Sequence, residues 1–506
     1  MHAATERVAE RVQRPRLAAL TCALAGVQLV ASLNVGNSTK VFRELGMADK
    51  WVAAAWLAGP ISGMVVQPLV GVWSDGCTAS CGRRSPFIAS GALVIVAALT
   101  LFANAEDVGT AAGEHTSSCA GSRCTMALAV AVAAFCILDL AFNTIKGPAR
   151  TLLVDLVPPE QQSEGNALFG TMTGLGSIFG FALGALPLTD AFPFMGTNLR
   201  ALYALGALAV LVAVGVTLAA AREEQHAPPG TLDHVESCDG ALNEASPLLN
   251  DALELPKPRP ATSRWRRWRA ALTTMPPVLG HVFAVQCCTW FAWFTTFIYA
   301  TSWVGSVVYG GDPNAPAGSH ARTLYDDGVR AGNLGLLMQA LTTVVLTLPG
   351  PWGAALLPRL VTTAGTKSVY VAAHIVLALI LGAVGLLTHL ARAGTPRTTL
   401  VPLVLLAFGS LGFPWACTMT LPWALTAVAI EASDDKGLLM SMMNLAQCLP
   451  EVAAAGAGFA LLSLPNWANP LGTGAVMTLG GFIAAIGAAL IAYLRLGDNA
   501  AFESPR

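Results

Sequence analysis

The chain has 506 residues, 54% of them hydrophobic and only 12% charged, with a formal net charge of −1. Soluble domains carry about 25% charged residues, so a soluble globular protein is excluded. Long apolar runs recur along the whole length and define a polytopic, all-α membrane protein; with no basic surplus, no nucleic-acid partner is expected.

Residues 1–16 are polar and carry Arg7, Arg11, Arg14 and Arg16. The first apolar run lacks an A-x-A-type cleavage site and is long enough to span, so it reads as a helix and not as a signal peptide. Twelve spans are predicted at 17–36, 52–73, 86–104, 125–153, 164–186, 199–221, 277–304, 331–350, 369–387, 400–424, 437–462 and 474–494. A segment rich in Pro, Asp and Glu divides them six and six, giving a first bundle (1–221), a linker (222–274) and a second bundle (275–506). Twice as many Lys and Arg fall on the side of the termini and linker as on the other, which predicts that both termini are cytosolic. Two six-helix halves joined by a long inner linker is the architecture of major-facilitator transporters, whose site lies between the halves.

The second span leads into a loop in which Gly71, Asp75, Gly82, Arg83 and Arg84 fit the major-facilitator pattern G-x-x-x-D…G-R-R. Glycines permit a tight turn there, and Asp75, Arg83 and Arg84 are a candidate conformational latch. Cys77 and Cys81 lie nearby without a histidine, so a metal site is rejected. In the next loop Cys119 and Cys124 could be an oxidised pair if that side faces an oxidising compartment.

The fourth span carries Asp139, Asn143, Lys146 and Arg150 at offsets 0, 4, 7 and 11, one face of a helix. An acid and two bases at membrane depth cost several kcal/mol unless they pair or line a watery cavity, so this face is a candidate substrate or proton path. A structural ion pair between helices is the alternative. Gly147-Pro148 is expected to interrupt the helix beside Arg150. Without that break, Asp139 and Arg150 stand about 16 Å apart.

In span five, Gly170, Gly174, Gly176, Gly180 and Gly184 follow small-x-x-x-small spacing and predict close helix packing. The linker holds Glu244, Leu248 and Leu249 in the spacing of an acidic dileucine signal, a candidate contact for a sorting adaptor. Trp290, Trp293, Phe294 and Phe297 share a face of span seven; Trp290 and Trp293 are candidates to stack on a sugar ring, although such stripes more often pack. Pro414 and Pro422 are expected to bend span ten. Glu451 in span eleven is a second intramembrane carboxylate. Counted from the helix ends, Lys146 lies about 30 Å deep and Glu451 about 16 Å, so the two are not expected to pair.

These residues resemble the plant sucrose–proton symporters and their animal relatives. Trp56-Leu57, Gly59-Pro60-Ile61-Ser62-Gly63-Met64, Gln67-Pro68-Leu69-Val70-Gly71, Ser74-Asp75, Gly82-Arg83-Arg84 and Pro86-Phe87 stand as in that family. The stretch LDLAFNTIKGPARTLLVD is similar to its L-D-x-A-x-N-x-x-x-G-P-x-R-x-L-L-x-D. The family's D-T-D-W-x-G-R-E after helix seven reads here Ala300-Thr301-Ser302-Trp303-Val304-Gly305-Ser306-Val307, with four charges gone. Lys146 stands where plant members have Gln, Glu451 stands where they tend to have Gln, and the end of span one barely resembles the family's.

The resemblance implies a major facilitator fold and proton-coupled symport of sucrose or a related glucoside, without a cofactor. Asp139 would take the proton, with Glu451 as second candidate. Arg150, Asn143 and Lys146 would engage the sugar. Alternatives are a monosaccharide facilitator or symporter and, from another class, a non-transporting sugar sensor. No nucleophile–base pair, metal cluster or phosphate loop suggests an enzyme. A plasma-membrane location is expected, with a vacuolar or lysosomal-type membrane as the alternative.

Overall fold

The computed structural model describes residues 12–75, 77, 79, 81–113, 125–158, 161–221, 275, 277–348, 356–429, 436–465 and 467–493. Twelve helices are long and apolar enough to cross a membrane. They are α1 (Arg14–Glu44), α2 (Asp49–Gly71), α3 (Ser85–Ala103), α4 (Thr125–Leu156), α5 (Leu168–Ala185), α6 (Asn198–Ala220), α7 (Pro277–Val308), α8 (His320–Thr347), α9 (Thr366–Arg392), α10 (Arg397–Thr426), α11 (Leu445–Leu462) and α12 (Thr473–Tyr493). Each matches one predicted span, six on either side of 222–274. An even number of crossings puts both chain ends on one face, called here the terminal face; the opposite one is the far face.

Two helices run well past their predicted ends. Helix α1 continues to Glu44 and α8 begins at His320. These extensions carry charges that pair with one another and with Asp49 of α2, which offsets their desolvation. Lys40 Nζ stands 2.6 Å from Asp326, Arg322 reaches Glu44 at 2.8 Å, and Arg43 Nε holds Asp49 at 2.9 Å.

Several spans are discontinuous, and the breaks follow proline chemistry. Helix α2 breaks at Trp56-Leu57, between Asp49–Ala55 and Ala58–Asp75. Pro60 has no N–H for the Trp56 carbonyl four residues back. Helix α10 breaks at Leu411, between Arg397–Ser410 and Gly412–Ala429, where Pro414 cannot donate to the Ser410 carbonyl. It then passes through Pro422 without a break. Helix α7 ends in a π-turn over Val304–Val308.

The break expected at Gly147-Pro148 is absent: α4 is one uninterrupted helix with Pro148 inside it. Membrane helices tolerate such a proline when their surroundings support the backbone, and the helix continues past the Thr144 carbonyl that Pro148 leaves without its N–H partner. Asp139 and Arg150 therefore keep their eleven-residue separation.

Close packing of α5 follows the glycine spacing. A Cβ on Gly176 would stand 2.4 Å from the Ala25 carbonyl oxygen, and one on Gly180 2.5 Å from that of Leu29. Gly184 packs against the Asn333 side chain of α8.

The first six helices meet the last six along a seam of polar contacts in the far half of the membrane. Thr39 Oγ1 donates to the Ile298 carbonyl at 2.6 Å, and Thr301 Oγ1 to that of Gly36 at 2.9 Å. Arg43 Nη1 donates to Ser302 Oγ, which also bonds the Tyr325 hydroxyl at 3.0 Å. Trp56 of α2 meets Phe294 of α7 edge to face.

Candidate functional site

The polar face of α4 lies against α2. Asp139 Oδ2 sits where Gly59 has no side chain; a Cβ there would be 3.6 Å away. One turn below, Asn143 Nδ2 donates to Ser62 Oγ at 2.9 Å and to the Asp139 carbonyl at 3.1 Å. Ser62 Oγ donates to that same carbonyl at 3.0 Å, and the residue is buried. The amide nitrogen of Asn143 is thus occupied in joining α4 to α2, and its oxygen is the atom left to meet a ligand. Ser62 was not among the predicted site residues, although it belongs to the Gly59-Pro60-Ile61-Ser62-Gly63-Met64 motif.

Lys146 leans toward the far face, its ammonium 5.5 Å from the centre of the Phe142 ring one turn earlier. This is the ordinary direction for a helical side chain, whose Cα–Cβ bond tilts toward the helix N-terminus. No ion pair within 4.0 Å involves Lys146 among the described residues. Its charge is in electrostatic range of Asp139, Glu451 and Arg150.

Lys146 and Glu451 form no direct ion pair among the described residues, but they lie nearer than the helix depths suggest, in electrostatic range of each other. Counting from the helix ends ignored side-chain direction. Helix α11 runs antiparallel to α4, so Glu451 leans toward the terminal face while Lys146 leans toward the far face. Their levels are fixed through α2, where Gly63 lies 3.5 Å from Cys448 Sγ and Ser62 bonds Asn143. Glu451 also interacts with Asp139.

Arg150 lies one turn of helix beyond Lys146 and three turns beyond Asp139. Its guanidinium covers the Phe169 ring at 4.7 Å, and the side chain is exposed. The structure does not bring Asp139 and Arg150 together; the charge between them is Lys146.

The aromatic face of α7 divides. Trp293 is fully buried, donates to Thr418 Oγ1 at 3.2 Å, and packs on Phe297 and Trp415. It offers no ring face to a ligand in this conformation. Trp290 is half-buried, and its Nε1 is a buried donor with no acceptor. An unsatisfied indole N–H is costly unless a ligand or water accepts from it.

At the terminal face, Arg83 and Arg84 both bind Asp155 at the end of α4, at 3.0 and 3.1 Å. Arg84 also donates to Ser74 Oγ at 2.6 Å. Asp155, the last residue of the L-L-x-D motif, was not singled out from sequence. The Asp75 side chain, Cys119, Cys124 and the Glu244, Leu248, Leu249 segment lie outside the described residues.

At the far end of α7, residues 300–307 hold neutral side chains, and one of them, Ser302, meets α1. Ser302 accepts from Arg43, Ser306 Oγ donates to the Ser302 carbonyl at 2.8 Å, and Ala300 is buried.

Comparison with known proteins places this arrangement. A family model described as Major Facilitator Superfamily matches residues 18–455. Among solved structures, an auto-inhibited POT family peptide transporter superposes with a TM-score of 0.62 at 14% identity, over 96% of this chain and 98% of that one. The nucleoside transporter NupG superposes with a TM-score of 0.52 at 13% identity, over 95% and 99%. Both share the fold. The chain is 30% identical to a sucrose transport protein of Arabidopsis thaliana, over 87% of this chain and 81% of the relative. It is 31% identical to one from Oryza sativa subsp. indica, over 89% and 83%. Another, from Oryza sativa subsp. japonica, is 31% identical over 87% and 86%. The chain belongs to the major facilitator superfamily and, within it, to the family of the plant sucrose transport proteins.

Proposed function

We propose that this protein is a proton-coupled symporter of sucrose or a related glucoside, working by alternating access in the plasma membrane. One observation supports it above the rest. Asp139 stands on the α4 face at the seam, in range of Lys146 and of the opposite half. The sugar assignment rests on the relatives named sucrose transport proteins; the proton assignment rests on Asp139.

A carboxyl group crosses the low-dielectric middle of the membrane at far less cost when neutral. Asp139 therefore carries the proton. Arg150, held flat on Phe169, presents a planar fork of donors to sugar hydroxyls. The Trp290 indole N–H is placed to donate to an oxygen of the same sugar, and the Asn143 amide oxygen to accept. Sugar at Arg150 draws the cationic face toward itself and leaves Asp139 easier to protonate, so sugar and proton bind cooperatively, and by linkage each strengthens the other.

The halves 1–221 and 275–506 rock about the site, with 222–274 as linker. With both termini in the cytosol, the paired charges of α1 and α8 close the outer side in this conformation. Arg83 and Arg84, already held to Asp155 in this conformation, are set to latch the inner side through Asp75 in the opposite one.

The test is uptake of a panel of radiolabelled sugars into proteoliposomes, with and without an acid-outside gradient. Accumulation of sucrose above its outside concentration, only when the gradient is present, is the expected result. Equal uptake in both conditions would refute coupling, and preference for a hexose would refute the substrate.

A further inference from the structure

We propose that Lys146 and Glu451 act as one charge pair across the seam between the halves, balancing the site so that Asp139 is loaded at a moderately acid outside pH. This rests on the reading of Asp139 as the proton carrier. Lys146 and Glu451 are positioning residues here, acting through Asp139.

The geometry comes from three helices. Helix α2 supplies two side-chain-free positions one turn apart. Gly59 receives the Asp139 carboxylate of α4 at 3.6 Å, and Gly63 receives Cys448 of α11 at 3.5 Å. Glu451 is one turn beyond Cys448 toward the far face, level with Gly59, and leans back toward the terminal face. Lys146 is two turns beyond Asp139 on the terminal side and leans the other way, over Phe142. Ammonium and carboxylate thus approach each other at the level of Asn143, from opposite halves. They stop short of a direct ion pair, which leaves room for a ligand or for closure of the seam.

The charge count favours the pairing. With both side chains neutral, Asp139 would be the acid of this level and face no lysine. A lone lysine here would hold Asp139 ionised. A lone glutamate would place two carboxylates together. Lys146 and Glu451 together restore the balance of the neutral pair, and add an attraction between the two halves that depends on how close they are.

The surroundings contain nothing else that could play this part among the described residues. The charged groups in electrostatic range of Glu451 are Asp139 and Lys146 of α4, with the Cys448 thiol on its own helix. Helix α2 presents Gly59, Ser62 and Gly63 at this level. Helices α7 and α12 meet α11 around Leu449 and Ala453 through Cys287, Cys288, Phe291 and Ile483. Lys146 itself is faced further by Arg150.

The experiment measures the outside pH that gives half-maximal sucrose uptake, in proteoliposomes loaded with equal amounts of monodisperse protein. Lys146→Gln leaves two carboxylates facing each other, which favours protonation, and half-maximal uptake moves to higher pH by about one unit. Glu451→Gln leaves Lys146 to Asp139 alone, and half-maximal uptake moves to lower pH by a similar amount. The double variant Lys146→Gln/Glu451→Gln returns to within a few tenths of the original value. Opposite shifts that cancel are a coupling signature that a purely structural contact does not produce. Unmoved single variants, shifts of the same sign, or a double variant that fails to return each overturn the proposal. Where a single variant does not fold, the exchanged pair Lys146→Glu/Glu451→Lys keeps two acids and one cation; it is expected to retain pH-driven uptake, and folded but uncoupled protein overturns the proposal. Asp139→Asn separates the two readings. If it still concentrates sucrose, Asp139 is not the carrier; if it does not, and the variants at 146 and 451 leave the pH dependence unmoved, only the pair is refuted.

Discussion

The Asn143 amide and the Ser62 hydroxyl form a closed triangle with the Asp139 carbonyl, with sides of 2.9, 3.0 and 3.1 Å. Asp139, the proposed proton carrier, is thus anchored through its backbone, with its carboxyl group against Gly59. Ser62→Ala removes one donor and one acceptor from the triangle. A single hydrogen bond contributes about 1 kcal/mol, so folded protein is expected with a modestly lower melting temperature. Uptake is expected to fall through Vmax, with sucrose KM little changed. A changed KM with unchanged melting would mean that Ser62 touches the sugar directly.

Arg150→Lys keeps the charge and loses the planar donor fork and its stacking on Phe169. Sucrose uptake is expected to drop more than about tenfold while the protein still reaches the membrane. Near-normal uptake by a well-expressed variant would remove Arg150 from the sugar site.

Asp139→Asn imitates the protonated carboxyl permanently. Uphill uptake driven by pH is expected to vanish, while sucrose exchange across the membrane at equal concentrations persists in part. Sugar-induced proton movement into vesicles checks this directly. Retained concentration of sugar under acid-outside conditions would direct attention to Glu451 as the carrier.

Arg322 and Lys40 each hold an acid at the far face, Arg322 with Glu44 at 2.8 Å and Lys40 with Asp326 at 2.6 Å. These side chains are largely shielded, so removing one partner leaves the other costly. Arg322→Ala is expected to shift the population toward a conformation open at this face. Spin labels at Met47→Cys and His320→Cys report it as a longer distance distribution. An unchanged distribution would show that the seam is held by Thr39, Thr301 and Arg43 without this pair.

Gly180→Val places a branched side chain against the Leu29 carbonyl, where even a Cβ would stand 2.5 Å away. Backbone on both sides has no room to yield. The expected outcome is loss of monodisperse protein on size exclusion. Gly170→Ala, whose Cβ would meet nothing within 4 Å, is the comparison and is expected to fold.

Much of the site was legible because membrane chemistry is restrictive. Asp139, Lys146 and Arg150 stand out by being charged inside apolar runs, and their shared face follows from helical spacing alone. Trp290 and Trp293 show the limit of that method. Both lie on the same stripe of α7, yet Trp293 is sealed by Thr418 and Trp415 while Trp290 keeps an open donor. Periodicity assigns a face, and the packing of α10 against it decides which ring is covered. Ser62 and Asp155 were hidden for another reason: a serine and a helix-end aspartate are ordinary residues until their partners, Asn143 and the Arg83-Arg84 pair, are known.

The sequence by itself determined twelve spans, their division six and six, the polar face of α4 and the glycine seam of α5, because hydropathy and helical period are local properties of the chain. Only the tertiary structure decided that α4 runs unbroken through Pro148, since a helix packed among neighbours tolerates a break that an isolated helix would not. It also set Lys146 in electrostatic range of Glu451. That relation depends on antiparallel helices from opposite halves whose side chains lean toward each other, which no count of residues along one helix contains.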